Sequence, residues 1–292
     1  MGFRTVIVKT RSKLEHRLNF LIIRGETERR IYINEINTLI VQSTAVSLTA
    51  SLICELVRNN VKIIFCDEKC NPCSELLPYY GAHNTSKRIK MQTAWKQEIK
   101  DKVWKAIVEK KIRSQSDLLI KRGLTEEAGM LEVYASEVED GDVTNREGHA
   151  AKVYFNAILP EGVTRRSPDF INACLNYGYA VLLSAVNREI VSCGHITQLG
   201  IWHDNEFNDF NLGSDLIEPL RVIADETALS INKGDENFKL KMANILNYRI
   251  TFADKNTTVD IAIKQYVKSV LAALNENDCS LIVFPKNVDV SV

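Results

Sequence analysis

Hydrophobic positions along the chain follow two different patterns, and the change between them falls near residue 73. Before it, short runs rich in β-branched residues alternate with polar positions or stay apolar at strand length. These runs cover 5–9, 17–24, 29–34, 38–42 and 61–67. A stretch at 47–60 has helical spacing instead, with Leu52 and Leu56 on one face. Ser47 is its expected N-cap. The first part therefore predicts a small β-rich domain, residues 1–73, that holds one helix.

Proline and glycine mark a boundary after this domain, and helical patterns dominate beyond it. The segment 71–86 carries two prolines and a glycine, which favours turns and a domain boundary, and we place a linker at 74–86. Apolar residues then recur at helical spacing over 87–122, 172–191, 212–231, 238–250 and 257–275. The pattern predicts an α+β chain in which a larger, all-helical domain, residues 87–292, follows the β-rich one.

Charge is balanced overall but unevenly distributed. Lys and Arg number 37, and so do Asp and Glu, among 292 residues, so the net charge indicates no particular partner. The segment 87–122, however, has twelve Lys and Arg against four acids. Such a patch suits salt-dependent binding to a phosphate backbone, and a solvated helix pair is an equal alternative.

Cellular location and cysteine chemistry follow from simple features of the sequence. No apolar run is long enough for a membrane span, and the N-terminus has no apolar signal core. Seven cysteines are scattered through the chain, which is typical of reduced thiols. We therefore expect a cytoplasmic protein with no membrane partner. Cys66, Cys70 and Cys73, with His83 nearby, suggest a small zinc site as a minor alternative, because the spacing lacks a second clean pair.

One segment, 203–221, gathers five acids behind a single histidine. Asp215 and Glu218 are three residues apart, which places both carboxylates on one face of a helix. Proline is tolerated near the start of a helix, so Pro219 leads us to expect a helix that begins close to Asp215, with Ser214 as its cap. Two acids in a first turn are also a common solvated arrangement, so the pair alone does not establish a site.

Two further residues raise the case for a metal ion. His203 precedes the paired acids in the sequence. A neutral imidazole together with carboxylates is a donor set that suits Mg²⁺ or Mn²⁺. Mn²⁺ accepts the nitrogen ligand more readily than Mg²⁺ does. Glu147 opens another helical pattern and shares a face with Ala150 and Tyr154. A carboxylate on a closely packed face is costly unless it is paired or bound to a metal.

Four segments together resemble a known family. They read SELLPYYGAHNTS, REGHAAKVYF, RRSPDFINACLNYGYAVL and LGIWHDNEFNDFNLGSDLIEPLR. In this order and at these separations they resemble the CRISPR-associated spacer integrase, the metal-dependent endonuclease-integrase of CRISPR adaptation, and most closely its type II-A form. The resemblance covers essentially the whole chain.

The resemblance implies a fold, a site and a reaction. It implies a β-sandwich-like N-terminal domain and a helical catalytic domain. It implies Mg²⁺ or Mn²⁺ held by Glu147, His203 and Glu218, with Asp215 as a ligating or supporting acid. The implied reaction joins the 3′-hydroxyl ends of captured foreign DNA fragments to a CRISPR repeat by transesterification, and DNA endonuclease activity is the same phosphoryl transfer with water as the attacking group.

The resemblance also implies partners. These are DNA, as the protospacer fragment and the CRISPR repeat, and a second copy of the chain in a homodimer formed largely through the N-terminal domain. Two such dimers are expected to flank a dimer of a small ferredoxin-like CRISPR adaptation protein in a heterohexamer. The type II effector nuclease and an auxiliary ring-forming DNA-binding adaptation protein are further candidate partners.

Basic residues near the ligands and in the basic segment are candidates for contacts with the DNA backbone. They are Arg146, Lys152, Arg165, Arg166, Arg221, Lys87, Arg88 and Lys90. Arg221 is equally suited to support the acids. Tyr177 and Tyr179 have apolar surroundings that favour core packing.

Two alternative functions stay open at this point. One is a stand-alone structure-specific DNA nuclease, which the residues do not distinguish from an integrase. The other is a non-catalytic DNA-binding scaffold that has kept the fold, against which the intact set of Glu147, His203 and Glu218 argues.

Overall fold

The computed structural model describes residues 4–79, 82 and 84–288. The chain divides into two compact units, residues 1–79 and 80–292. Each unit is built around its own buried apolar residues.

Short β-branched runs in the first unit form the strands of two sheets. The elements are β1 (Arg4–Val8), β2 (Ser12–Arg17), β3 (Phe20–Arg24), β4 (Glu28–Tyr32), β5 (Ile36–Val41), β6 (Val46–Leu48), α1 (Ala50–Arg58), β7 (Lys62–Cys66) and β8 (Pro72–Glu75). One sheet has the order β1-β5-β7-β8, with parallel pairing among its first three strands and an antiparallel β8. The other has the order β4-β3-β2-β6, antiparallel except where β6 runs parallel to β2.

The two sheets and the helix share one core. Every residue of β5 is buried, as expected of an inner strand of a parallel arrangement. Leu39 of β5, Leu14 of β2 and Leu52 of α1 belong to the same buried cluster. The N-terminal strands therefore form the sandwich-like domain that the sequence predicted.

Local backbone geometry corrects two details of the sequence analysis. The predicted strand 17–24 is interrupted because Leu18 and Asn19 adopt positive φ, 48° and 63°, and form the turn between β2 and β3. The predicted cap Ser47 lies in β6, and Thr49 caps α1 instead, its side chain accepting a hydrogen bond from the backbone N–H of Leu52 at 3.3 Å.

The second unit is mostly helical. Its helices are α2 (Thr85–Thr93), α3 (Gln97–Lys121), α4 (Thr125–Ser136), α5 (Arg146–Ile158), α6 (Phe170–Ser192), α7 (Asn211–Ile217), α8 (Arg221–Leu229), α9 (Phe238–Ala243) and α10 (Val259–Glu276). α3 contacts α4, α5, α8 and α10, and α6 contacts α7, α8, α9 and α10. These two long helices hold the shorter ones in place. None of the helices formed by the described residues is long and apolar enough to cross a membrane.

The expectation of an all-helical second domain needs one correction, although the α+β class is confirmed. β9 (Arg249–Phe252), β10 (Lys255–Thr258) and β11 (Lys286–Val288) form a small antiparallel sheet in the order β10-β9-β11. The predicted helix 238–250 ends early for this reason, and Ala253 and Asp254, both at positive φ, turn the chain from β9 into β10.

Candidate metal centre

Glu147 lies in the first turn of α5, and two side chains fix the start of that helix. Asp142 is buried and accepts hydrogen bonds from the backbone N–H groups of Arg146 at 2.8 Å and Glu147 at 3.0 Å. The N-cap Asn145 accepts a bond from the N–H of Gly148 at 3.3 Å. These bonds satisfy N–H groups that a helix start leaves free. They set the direction in which Glu147 leaves the helix.

Glu218 lies at a break between two helices. α7 ends at Ile217, a 3-10 turn covers Glu218–Leu220, and α8 begins at Arg221. Pro219 explains the break, since it has no N–H to continue the helical hydrogen bonds. The predicted helix start at Asp215 with Ser214 as its cap is therefore wrong.

The helix that carries Asp215 starts earlier than predicted because Asn211 is anchored to the preceding loop. Its side-chain amide donates to the carbonyl oxygens of Gln198 and Asn205, both at 3.0 Å. Ser214 lies inside α7, and its hydroxyl accepts a bond from Asn208 at 3.1 Å. Asp215 and Glu218 consequently stand at the end of a helix and not at its beginning.

Glu147 and Glu218 converge on the ammonium group of Lys111, a residue of α3. Lys111 Nζ is 2.5 Å from Glu147 Oε1 and 2.5 Å from Glu218 Oε2. The two carboxylate oxygens are therefore at most 5.0 Å apart, twice that contact distance. The other oxygen of Glu218 accepts a bond from Arg221 Nε at 2.9 Å. Two acids from different elements thus meet around one positive charge.

Electrostatics keep Glu218 and Lys111 ionised. Burial opposes the charge on Glu218, but the positive charges of Lys111 and Arg221 outweigh it and lower the pKa of Glu218 to about 2. Burial also opposes the charge on Lys111, and the two carboxylates outweigh it and raise the pKa of that amine. The cluster is a buried ion pair network with no net charge.

His203 is oriented by Asp215. Asp215 is fully buried. Its carboxylate accepts hydrogen bonds from the backbone N–H groups of Ile201, Trp202 and His203 at 2.5, 3.2 and 3.0 Å. Its Oδ1 also lies 2.7 Å from His203 Nδ1. When Nδ1 donates that bond, Nε2 keeps its lone pair, which is how a carboxylate prepares a histidine to bind a metal. Both oxygens of Asp215 are used in this way, so its part is to support His203.

The imidazole of His203 is within electrostatic reach of the two acids. Its hydrogen bond to Asp215 raises the pKa of His203 although burial opposes the rise. The negative charges of Glu218 and Glu147 add to the effect. The ring also meets Trp104 edge-on, with centroids 5.9 Å apart, and Trp104 stacks on the half-exposed Trp202 at 5.7 Å.

The side chains fit a divalent ion, although they are not assembled as a finished site. Within residues 4–79, 82 and 84–288, no three His, Cys, Asp or Glu side chains stand together as a metal-binding group. Two carboxylates and one imidazole are nevertheless a donor set suited to Mg²⁺ or Mn²⁺. Glu218 Oε2 is buried, and the Lys111 ammonium lies 2.5 Å from it, so a cation already stands between the acids.

Cysteines give no comparable arrangement. Cys66 is buried, Cys73 is exposed, and neither they nor Cys70 form a disulfide. They are not part of a metal-binding group among the described residues, and His83 lies outside those residues. The zinc alternative has no support in this geometry.

The predicted DNA-binding residues divide into exposed and partnered ones. Lys152, Arg166, Lys87 and Lys90 are exposed. Arg88 is half-buried on α2, and Arg146 pairs with Glu137 at 3.2 Å. Arg165 donates to Asn172 and Asn176 at 3.1 and 2.6 Å. Lys87, Arg88 and Lys90 share α2, so this helix presents positive charge.

Arg165 and the remaining arginine, Arg221, contact the same tyrosine. The guanidinium groups of Arg165 and Arg221 lie 5.2 and 4.6 Å from the ring centroid of Tyr179. Tyr177 and Tyr179 are both buried. Tyr179 is thus a core residue whose ring contacts two cations, of which Arg221 pairs with Glu218.

Sequence reasoning missed three contributors to this region. Lys111 belongs to the basic segment 87–122, but its side chain is buried in the interior. Asp225 is buried beneath Tyr179 and accepts the hydroxyl groups of Tyr179 and Tyr154 at 2.5 and 2.8 Å. Gln92 of α2 is buried and binds the loop that leads to His203.

Comparisons with known proteins agree with one another. A family model described as CRISPR associated protein Cas1 matches residues 5–247. The CRISPR-associated endonuclease Cas1 of Neisseria meningitidis serogroup C (strain 8013) is 31% identical over 294 residues, covering 98% of this chain and 97% of that protein. A solved structure titled casposase bound to integration product has a TM-score of 0.76 at 20% identity, covering 96% of this chain and 92% of the other. A chain of a Cas6-RT-Cas1–Cas2 complex has a TM-score of 0.75 at 18% identity, covering 96% of this chain and 36% of that one. The two structural matches show a shared fold.

Proposed function

Since the chain belongs to the CRISPR associated protein Cas1 family, we propose that it is a metal-dependent DNA endonuclease and integrase of CRISPR adaptation. It joins the 3′-hydroxyl ends of captured foreign DNA fragments to a CRISPR repeat by transesterification. One observation carries the proposal: carboxylates from α5 and from the α7–α8 break converge on a single cation, and their charges reach the His203 ring. The fold in which they do so is shared with a casposase bound to its integration product.

In this proposal Glu147, His203 and Glu218 hold Mg²⁺ or Mn²⁺. When bound, the ion neutralises charge on the scissile phosphate and lowers the pKa of the attacking hydroxyl. Asp215 keeps the His203 ring in one orientation through the bond at Nδ1. No nucleophilic side chain is needed, because phosphoryl transfer depends mainly on positioning and charge.

Positive side chains hold the DNA. Arg221 pairs with Glu218, and Arg221 and Arg165 both lie against the ring of Tyr179, so we propose that they bind a phosphate of the incoming strand. The basic helix α2 offers Lys87, Arg88 and Lys90 to the backbone further away. Lys152 and Arg166 are exposed and available for the same purpose, and Arg146 adds a third charge near Glu147.

The assembly we propose is a homodimer formed through the N-terminal unit. Two dimers bind a dimer of a small ferredoxin-like adaptation protein, and the relative in a Cas6-RT-Cas1–Cas2 complex supports a partner of this kind. The type II effector nuclease and an auxiliary ring-forming DNA-binding adaptation protein are the further partners that we propose for the choice and delivery of fragments.

The test is a strand-joining assay on a supercoiled plasmid that carries a CRISPR repeat. Reactions contain a labelled DNA fragment and Mn²⁺ or EDTA, with and without the small partner protein. We expect joining with Mn²⁺ and the partner, and loss of joining with Glu147→Gln or His203→Ala. Glu132→Gln removes a partly exposed acid of α4 that pairs with Arg113 of α3. This control variant should join DNA at the parental rate.

The outcomes separate the candidate functions. Joining at the parental rate by Glu147→Gln would show that the acids around Lys111 are not the centre. Cleavage of branched DNA without any joining, whether or not the partner is present, would favour the stand-alone nuclease. Salt-dependent DNA binding with neither reaction would favour the scaffold.

A further inference from the structure

Lys111 places a full positive charge in the middle of the candidate centre. Its side chain is 8% exposed, and its Nζ is 2.5 Å from an oxygen of each acid. The ammonium has therefore exchanged water for the carboxylates of Glu147 and Glu218. These acids are 71 positions apart in the sequence (218 minus 147), and Lys111 is the group that both of them contact.

A divalent ion and this ammonium need the same space. Mg²⁺ binds carboxylate oxygens at about 2.0–2.1 Å, and an Nζ atom 2.5 Å from both oxygens occupies the volume between them. Lys111 and Arg221 also balance the charges of Glu147 and Glu218. An ion that entered with Lys111 still in place would meet a neutral cluster and a positive neighbour.

We propose that Lys111 is a resident counter-cation of the metal centre. It holds Glu147 and Glu218 together before an ion arrives, and its ammonium leaves at least one of the two acids when the ion binds. The inference rests on the proposed function for the identity of the ion. It assigns Lys111 a positioning role that keeps the acids assembled and lowers the affinity of the ion.

Lys111→Met removes the charge and keeps a side chain of similar length. We expect Mn²⁺, titrated calorimetrically into the full chain, to bind at least about tenfold more tightly, which corresponds to ~1.4 kcal/mol, because a competing unit charge at contact distance is gone. In EDTA the variant should have a lower Tm than the parent, and Mn²⁺ should raise the Tm of the variant by more. Unchanged or weaker Mn²⁺ affinity would overturn the proposal.

Lys121→Met is the matched control. Lys121 lies on the same helix and pairs at 3.3 Å with Glu226, an acid outside the candidate ligand set. The substitution changes the net charge by the same amount. Its Mn²⁺ affinity should equal that of the parent, and an equal tightening in both variants would mean that overall charge, and not displacement of Lys111, sets the affinity.

A second measurement needs no variant at all. Acetylation of lysine side chains in the parent chain, read by mass spectrometry, should rise several-fold at Lys111 when Mn²⁺ is added, because the displaced amine becomes accessible. Lys102, exposed on the same helix, should be labelled equally with and without the ion. Labelling of Lys111 that does not respond to Mn²⁺ would overturn the proposal even if Lys111→Met failed to fold.

These readouts are independent of strand joining. Tighter Mn²⁺ binding by Lys111→Met together with a parent that joins no DNA would support the counter-cation and reject the proposed reaction. Strand joining by the parent together with an unchanged Mn²⁺ affinity of Lys111→Met would support the proposed reaction and reject the counter-cation.

Discussion

The buried carboxyl of Asp225 should make the stability of the second unit depend on pH. Asp225 is 1% exposed. Burial raises its pKa from 3.8 to about 6, although the hydroxyl groups of Tyr179 and Tyr154 bind it and work in the opposite direction. Below pH 3.8 both the folded and the unfolded chain carry the proton. As the pH rises towards 6, the unfolded chain releases the proton first, so folding stability falls and then levels off.

The size of this loss follows from the two pKa values. Each pH unit over which only the folded state holds the proton corresponds to about 1.4 kcal/mol. Between the ordinary pKa of 3.8 and the native pKa of about 6, the folded state therefore loses at most ~3 kcal/mol. Asp225→Asn cannot ionise and should lack this contribution.

Urea unfolding between pH 4 and pH 7, followed by tryptophan fluorescence, measures the effect. All three tryptophans, Trp95, Trp104 and Trp202, belong to the second unit, so the signal reports the unit that contains Asp225. The free energy of unfolding of the parent minus that of Asp225→Asn should fall by about 2.4 kcal/mol over this range, because part of the loss already occurs below pH 4.

A second variant tests the cause of the shift. Tyr154→Phe removes one hydroxyl that lowers the pKa of Asp225, so its stability should fall over a wider pH range than that of the parent. A difference between parent and Asp225→Asn that stays constant from pH 4 to pH 7 would refute the reasoning.

Two further predictions concern the loop that carries His203. A Cβ at Gly200 would collide with the carbonyl oxygen of His203, so Gly200→Ala should lower the free energy of unfolding by about 1–3 kcal/mol and abolish strand joining. Gly129→Ala meets nothing within 4 Å on its helix and should be stabilising by about 0.5–1 kcal/mol; equal urea midpoints for the two variants would contradict this. Gln92→Ala should cost about 1–3 kcal/mol, because the side chain makes three hydrogen bonds of 2.9–3.0 Å to the backbone of the 196–199 loop. An unchanged unfolding midpoint for Gln92→Ala would show that these three hydrogen bonds do not stabilise the protein.

The fold could be predicted where one pattern covers a whole element. β5 and α6 are long, strongly patterned and buried along most of their length. The hairpin between β2 and β3 was hidden because Leu18 and Asn19 are a poor turn sequence that takes positive φ all the same. β6 and β8 span only three and four residues, too few for a period to be visible.

The residues of the candidate site stand out in the sequence, but their arrangement does not. Glu147, His203 and Glu218 stand out by residue type and by resemblance. Pro219 marks a helix boundary, but the sequence alone does not tell whether one helix ends just before it or another helix begins there.

Lys111 was predictable in principle. It falls on the same stripe of α3 as Trp104 and Val108, with Gln115 one turn further on, and all four are buried. A lysine on the apolar stripe of a helix is expected to be buried, and a buried lysine is expected to pair with an acid. Which acids supply it depends on how α3, α5 and the α7–α8 break pack together, and no local pattern contains that information.

The convergence of three distant segments on one cation has a consequence for folding. Lys111, Glu147 and Glu218 can meet only after α3, α5 and the break at Pro219 have all docked. An incompletely folded chain therefore lacks the assembled acids that would hold the proposed ion. Whatever binds there stabilises the native unit by mass action, so saturation with ion would report the fraction of molecules that have finished folding.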